Sequence, residues 1–181
     1  MEHYIVSTGF AEVIRGTSIM EYVKNIWGCE LIEAENAEGI REISEVGYTI
    51  DNTTKTRALF EINKGEGVNV NAKLSSEQRR VDFRNMIYIA DGPSDVPAFS
   101  VVKGKGGATF AIYPKGNIKA FKQVEQLRED SRIDMFAEAD YSDGTTASMW
   151  ICNKIEEMAE RMKKAEQSKH SGGNETPKHL V

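Results

Sequence analysis

The sequence predicts an α/β fold built on a mostly parallel sheet, and three observations point there. Met86-Ile87-Tyr88-Ile89-Ala90 is a continuous apolar run of strand length, the pattern of a strand buried on both faces. A second run, Ala108-Thr109-Phe110-Ala111-Ile112-Tyr113, has the same character, and segments of helical spacing separate the strand candidates. The first run stops at Asp91-Gly92-Pro93, where glycine frees the backbone and proline cannot continue a ladder. Asp91 and Asp95 are therefore carried on a turn past the strand's carboxyl end, the edge at which open α/β sheets bind ligands. Two carboxylates with no base between them repel unless a cation or proton intervenes, and Mg²⁺, which takes one or two carboxylates plus water and phosphate, suits the pair. The same residues also suit a plain Asp-Gly turn with Asp95 capping a helix.

With 181 residues the chain has the length of one domain with a full core. A net charge of −5 and a pI near 5.4 argue against a nucleic-acid partner, while a local basic pocket for phosphate is compatible with both. Cys29 and Cys152 are isolated, which indicates neither a disulfide framework nor a zinc site and suits a reducing cytoplasm. The chain shows no charged-then-apolar leader and no apolar run of bilayer length. A soluble cytoplasmic protein without a membrane partner is expected.

Taken in order, His3-Tyr4-Ile5-Val6 reads as a first strand ending at Ser7-Thr8-Gly9, and residues 10–14 have helical spacing. Gly16-Thr17 breaks that helix before a second helical piece from Ser18 to about Asn25. Ser7 then lies at a strand-to-helix junction, where its hydroxyl serves either as an N-cap or as a hydrogen-bonding group for a phosphoryl oxygen. Residues 27–33 and 42–50 read as strands at a sheet edge, joined by a turn over 36–39. Asp51-Asn52-Thr53-Thr54 starts a helix that runs to about Asn63, with Ala58, Leu59 and Ile62 on one face. Lys55 falls in its first turn, where a cation opposes the helix dipole; either some other interaction or a side chain bent into solvent accounts for it.

Residues 65–85 are polar and read as a long loop with one helical turn. After the acidic turn come a helix over 96–102 and a glycine-rich connector at 103–107, which lacks the spacing of either nucleotide fingerprint. A strand over 108–113, a charged helix over 117–129, a short strand within 133–139 and a helix from Gly144 to about Lys163 complete the order. Met149, Met158 and Met162 of that helix read as packing positions. Beyond it periodicity and apolar content vanish, so the domain is expected over 1–163 and a disordered tail over 164–181.

Three segments now line up: Ile5-Val6-Ser7-Thr8-Gly9-Phe10, Thr54-Lys55-Thr56-Arg57-Ala58-Leu59, and Tyr88-Ile89-Ala90-Asp91-Gly92-Pro93-Ser94-Asp95-Val96-Pro97. In that order they resemble motifs two, three and four of the haloacid dehalogenase-like (HAD) hydrolase superfamily. The resemblance extends over roughly residues 3 to 163, is most specific in the third segment, and is nearest to the phosphoserine-phosphatase-like branch. It implies a Rossmann-like sheet with helices on both faces, a Mg²⁺ cofactor and a small phosphorylated substrate. By that resemblance Ser7, with Thr8 and Gly9, would bind phosphoryl oxygens. Lys55 would pair with the phosphoryl group and the nucleophile, with Lys64 a second candidate for that lysine. Asp91 would ligate Mg²⁺ directly, and Asp95 would hold the metal or its waters; Ser7, Lys55 and Asp95 make up the catalytic set.

The family's first motif, a strand ending in Asp-x-Asp that supplies the nucleophile, precedes the second, and here the second begins at residue 5. No Asp-x-Asp occurs anywhere in the sequence. The cap insert between those two motifs is absent as well. The expectation is the C-terminal portion of a phosphatase that works through an aspartyl-phosphate, inactive alone, its sheet incomplete at the N-terminus. A separately encoded N-terminal half is the partner that would fill a one-strand gap between the strands carrying Ser7 and Asp91. The alternative is a non-catalytic module that keeps a phosphate or Mg²⁺ site and acts by binding.

Overall fold

The computed structural model describes residues 1–171. The chain opens with β1 (His3–Phe10), the short helix α1 (Ala11–Arg15) and a 3₁₀ segment (Ser18–Tyr22), and then enters β2 (Val23–Glu35) and β3 (Arg41–Tyr48). β2 runs parallel to β1 and antiparallel to β3. The short connection over 36–40 dictates the second pairing, because a parallel neighbour needs a crossover of a dozen or more residues. Asn36 closes that turn, its side-chain carbonyl accepting the N–H groups of Glu38 and Ile40 at 3.0 Å each. The helical piece expected to reach Asn25 is corrected: the chain is already strand at Val23, where pairing with β1 overrides a weak helical spacing.

α2 (Asn52–Lys64) starts where Asp51 places it. The Asp51 carboxylate accepts the N–H groups of Thr53 and Thr54 at 2.8 Å each, and the Thr54 hydroxyl accepts the Asp51 N–H at 2.6 Å, a reciprocal cap. Its buried face carries Lys55, Ala58, Leu59 and Ile62. The long polar connection that follows contains one 3₁₀ turn (Phe83–Asn85).

The rest alternates strand and helix: β4 (Ile87–Ala90), a 3₁₀ turn (Pro93–Asp95), α3 (Val96–Gly104), β5 (Ala108–Tyr113), α4 (Ile118–Glu129), β6 (Met135–Glu138) and α5 (Thr146–Ser171). All three strands are parallel, in the order β4-β5-β6. The period of two sends Tyr88 and Ala111 into a core with Phe99 and Val102 of α3 and Val124 of α4, while Phe110 faces α5 and stacks on Trp150 at 4.9 Å. Helices thus cover both faces of this sheet. Each fully buried Phe or Val contributes about 1.5–3 kcal/mol. Tyr4 and Trp27 of the first sheet pack on the same core, as do Leu59 and Ile62 of α2.

One mostly parallel sheet was expected; the described residues form two three-stranded sheets, one mixed and one parallel. β1 and β4 are each paired along one edge only. Ile89 of β4 stays 37% exposed although its cross-strand partner Phe110 is fully buried. α5 runs past the end expected at about Lys163, continuing to Ser171 through Lys, Ala, Glu and Gln, all good helix formers, with an i,i+4 pair between Lys164 and Glu160. The remainder of the expected tail, 172–181, lies outside the described residues. Among the described residues no helix is long and apolar enough to cross a membrane.

Candidate functional site

β4 ends at Ala90 and the chain turns at once, Gly92 accepting the Asp95 N–H at 3.1 Å before α3 begins. This turn separates the two acidic residues. Asp91 is exposed, and no hydrogen bond or ion pair engages its carboxylate among the described residues. Asp95 is 2% exposed. It does not cap α3 with its side chain. Instead Oδ1 accepts from Lys55 Nζ at 2.7 Å and from the Tyr88 hydroxyl at 2.6 Å, while Oδ2 accepts from the Ser94 hydroxyl at 3.2 Å. Lys55 reaches this carboxylate from the first turn of α2 and is itself buried. A second contact of its ammonium, to Ser94 Oγ, is 3.5 Å long.

The electrostatics follow from that burial. An isolated buried ammonium or carboxylate would carry a large desolvation cost, which the contact between Lys55 and Asp95 offsets. Burial pushes the Tyr88 phenol well above its ordinary range, and the hydrogen bond to Asp95, the Asp95 charge and the Asp91 charge push it the same way. Tyr88 is therefore a protonated donor at neutral pH.

Lys55, Asp91 and Asp95 are thus gathered at the carboxyl end of β4. Ser7, Thr8 and Gly9 are placed otherwise. The pairing of β1 with β2 slips between Val6 and Phe10, opposite Trp27 and Cys29, so these residues bulge from the ladder rather than cap α1, whose N-cap is Phe10. Within the bulge Ser7 Oγ accepts the Gly9 N–H at 3.0 Å, and the Thr8 carbonyl accepts the Cys29 thiol at 3.2 Å. No hydrogen bond joins Ser7 to Lys55, Asp91 or Asp95 among the described residues. Lys64 is committed elsewhere, donating to the carbonyls of Val70 and, at 2.6 Å, Ala72, and so pins the long loop.

For Mg²⁺ the chain provides the unencumbered Asp91 carboxylate and, in Asp95, one oxygen that carries a single long hydrogen bond. The described residues contain no group of three or more His, Cys, Asp or Glu arranged for a metal. Asp95 is buried and already paired with Lys55, so among the described residues of this site the Asp91 carboxylate is the one open to a hard cation, whose remaining shell would be water. A separate cleft of about 640 Å³ borders Tyr4, Trp27, Arg57 and Glu61 and contains none of the expected site residues. Within it Glu61 accepts from Trp27 Nε1 at 2.6 Å and from Arg57 Nε at 2.9 Å.

Tyr88 and Ser94 went unnoticed as site residues in the sequence. Tyr88 read as one apolar member of a strand, although a buried phenol needs a partner, and that need was its only signal.

The chain is 38% identical over 165 residues to an uncharacterized protein of Borreliella burgdorferi, a match covering 84% of this chain and 56% of that protein. It spans about half the length of the curated relative it matches. No family model matches the chain, and no solved structure matches it.

Proposed function

We propose that this chain is part of a Mg²⁺-dependent phosphohydrolase of HAD type, acting on a small phosphorylated substrate through an aspartyl-phosphate formed on a residue outside the described chain. The observation that carries the proposal is the buried contact between Lys55 and Asp95. Two residues singled out as belonging to one active site, forty positions apart, meet at the carboxyl end of a parallel strand beside the free carboxylate of Asp91. The unpaired edges of β1 and β4 are what a Rossmann-like sheet lacking one strand would leave. Lys55 would neutralise charge on the transferring phosphoryl group, Ser7 would hydrogen-bond its oxygens, and Asp91 would hold the cation. Mg²⁺, when bound, would polarise the phosphoryl oxygens.

A separate non-catalytic reading, a module that binds phosphate or Mg²⁺ without turnover, draws support from the Asp95 carboxylate. Two donors on Oδ1 leave it poorly placed as a nucleophile. Two measurements test the leading proposal. The purified chain should leave an aryl phosphate essentially unhydrolysed, whereas the reading frame extended upstream of Met1 should hydrolyse it with Mg²⁺ and lose activity on Asp91→Asn. Hydrolysis by the chain alone, abolished by Asp91→Asn, would show that its nucleophile lies within these residues. Absence of turnover in both, with cation binding retained, would favour the binding module. In hydrogen exchange, amides of residues 4–6 and 87–89 that point away from β2 and β5 should exchange rapidly. Full protection of all of them in a monomer would remove the missing strand from the proposal.

A further inference from the structure

Asp95 Oδ1 is shared by two donors of different kinds, the Lys55 ammonium at 2.7 Å and the Tyr88 hydroxyl at 2.6 Å. Tyr88 is held for this task. Its backbone belongs to β4, paired with Thr109 of β5, and its ring meets Phe99 edge-on with centroids 5.3 Å apart. The hydroxyl therefore has a fixed aim.

We propose that Tyr88 is a positioning residue of the proposed phosphate site: its hydroxyl takes up part of the Asp95 charge, so that Lys55 stays available to a phosphoryl oxygen. The inference rests on the phosphate-binding part of the function proposed above. An ammonium has three N–H donors. One is spent on Oδ1, and a second points to Ser94 Oγ at 3.5 Å, the limit of a hydrogen bond. A phosphoryl oxygen that takes a remaining donor must compete with a carboxylate already in contact in a site that excludes most water, where attraction between opposite charges is strong. The Tyr88 hydrogen bond weakens that competitor by occupying a lone pair of the same oxygen and by fixing the carboxylate plane. Without it, Asp95 is free to turn both oxygens toward Lys55 and draw the ammonium away from the ligand.

The test is a titration of the ¹⁵N-labelled chain with inorganic phosphate, wild type against Tyr88→Phe, with thermal unfolding of both. Phenylalanine keeps the ring against Phe99 and removes only the hydroxyl. The expected result is a folded variant whose phosphate affinity is lower by about fivefold, the worth of one hydrogen bond. Equal affinity in the two chains would overturn the inference while leaving the phosphate site intact. A variant that does not fold would assign the hydroxyl to the fold and overturn it as well. Phosphate that perturbs no resonance of the wild type would refute the phosphate site itself, and the inference with it.

Discussion

Replacing Lys55 by methionine probes the site through stability alone. The substitution preserves length and apolar bulk but leaves the Asp95 carboxylate 2% exposed and without its cation. Removing one partner of a buried pair costs about 3–5 kcal/mol, and the lower end applies here because the Tyr88 and Ser94 hydroxyls still donate to Asp95. In a domain of this size about 3 kcal/mol corresponds to a fall in Tm of roughly 6–12 °C. Urea unfolding at pH 7 followed by circular dichroism should show the midpoint drop with its slope unchanged. The double variant Lys55→Met, Asp95→Asn should recover most of the loss, since an amide oxygen at 95 still accepts from Tyr88 and no charge is left buried. A cost below about 1 kcal/mol for Lys55→Met would place the pair with solvent-exposed ones and refute the electrostatic argument. Additive costs in the double variant would refute it equally.

Two further outcomes are expected. Glu2 is held down to about 2, from an ordinary 4.5, first by the Lys24 hydrogen bond, then by that of Tyr4 and by the charges of Arg80 and Lys24. A depressed carboxylate stabilises the fold above its unfolded value and loses that contribution as pH falls toward the folded one. The stability difference between wild type and Glu2→Gln, from urea unfolding, should therefore be present at pH 6 and vanish by about pH 2, and, the pair being partly exposed, stay below about 1 kcal/mol; a difference independent of pH would refute the assignment. A Cβ at Gly107 would lie 2.4 Å from the Phe83 carbonyl oxygen and 2.6 Å from Val102, so Gly107→Ala should cost about 1–3 kcal/mol in urea unfolding. Gly104→Ala, which meets nothing within 4 Å, is the control, and equal costs for the two would refute the close-approach argument.

What could be read from the sequence follows the range of the forces involved. β5 spans the apolar run 108–113, because a strand covered on both faces declares itself in its own composition. α2 begins beside Asp51 because its cap is local chemistry. The start of β2 was hidden, since what holds Val23 and Asn25 extended is β1, some twenty residues earlier. The resemblance of their segments put Lys55 and Asp95 in one site, but it paired Lys55 with a phosphoryl group and a nucleophile, and their direct contact was visible neither there nor in the spacing. The share that Tyr88 takes in it was invisible because an aromatic in an apolar run carries no sign of what its hydroxyl faces.

Lys55 shows why these pieces belong together. A cation in the first turn of a helix is disfavoured by the dipole. Here Asp51 occupies the helix N–H groups, and Lys55 turns its charge away onto a carboxylate delivered by the turn after β4. Asp95 in turn can lie at 2% exposure because Lys55, Tyr88 and Ser94 supply its donors. The contact ties α2 to the second sheet, while Leu59 and Ile62 of the same helix share a core with Tyr4 and Trp27 of the first. Among the described residues no ladder of hydrogen bonds joins the two sheets. Their relative placement rests on a shared apolar core without fixed register and on polar links made through α2, Lys55 to Asp95 on one side and Trp27 Nε1 to Glu61 on the other. Loosening Lys55 should therefore disturb the spacing of the free edges of β1 and β4 as well as the site, and a strand inserted between those edges would stabilise the Lys55–Asp95 contact in return.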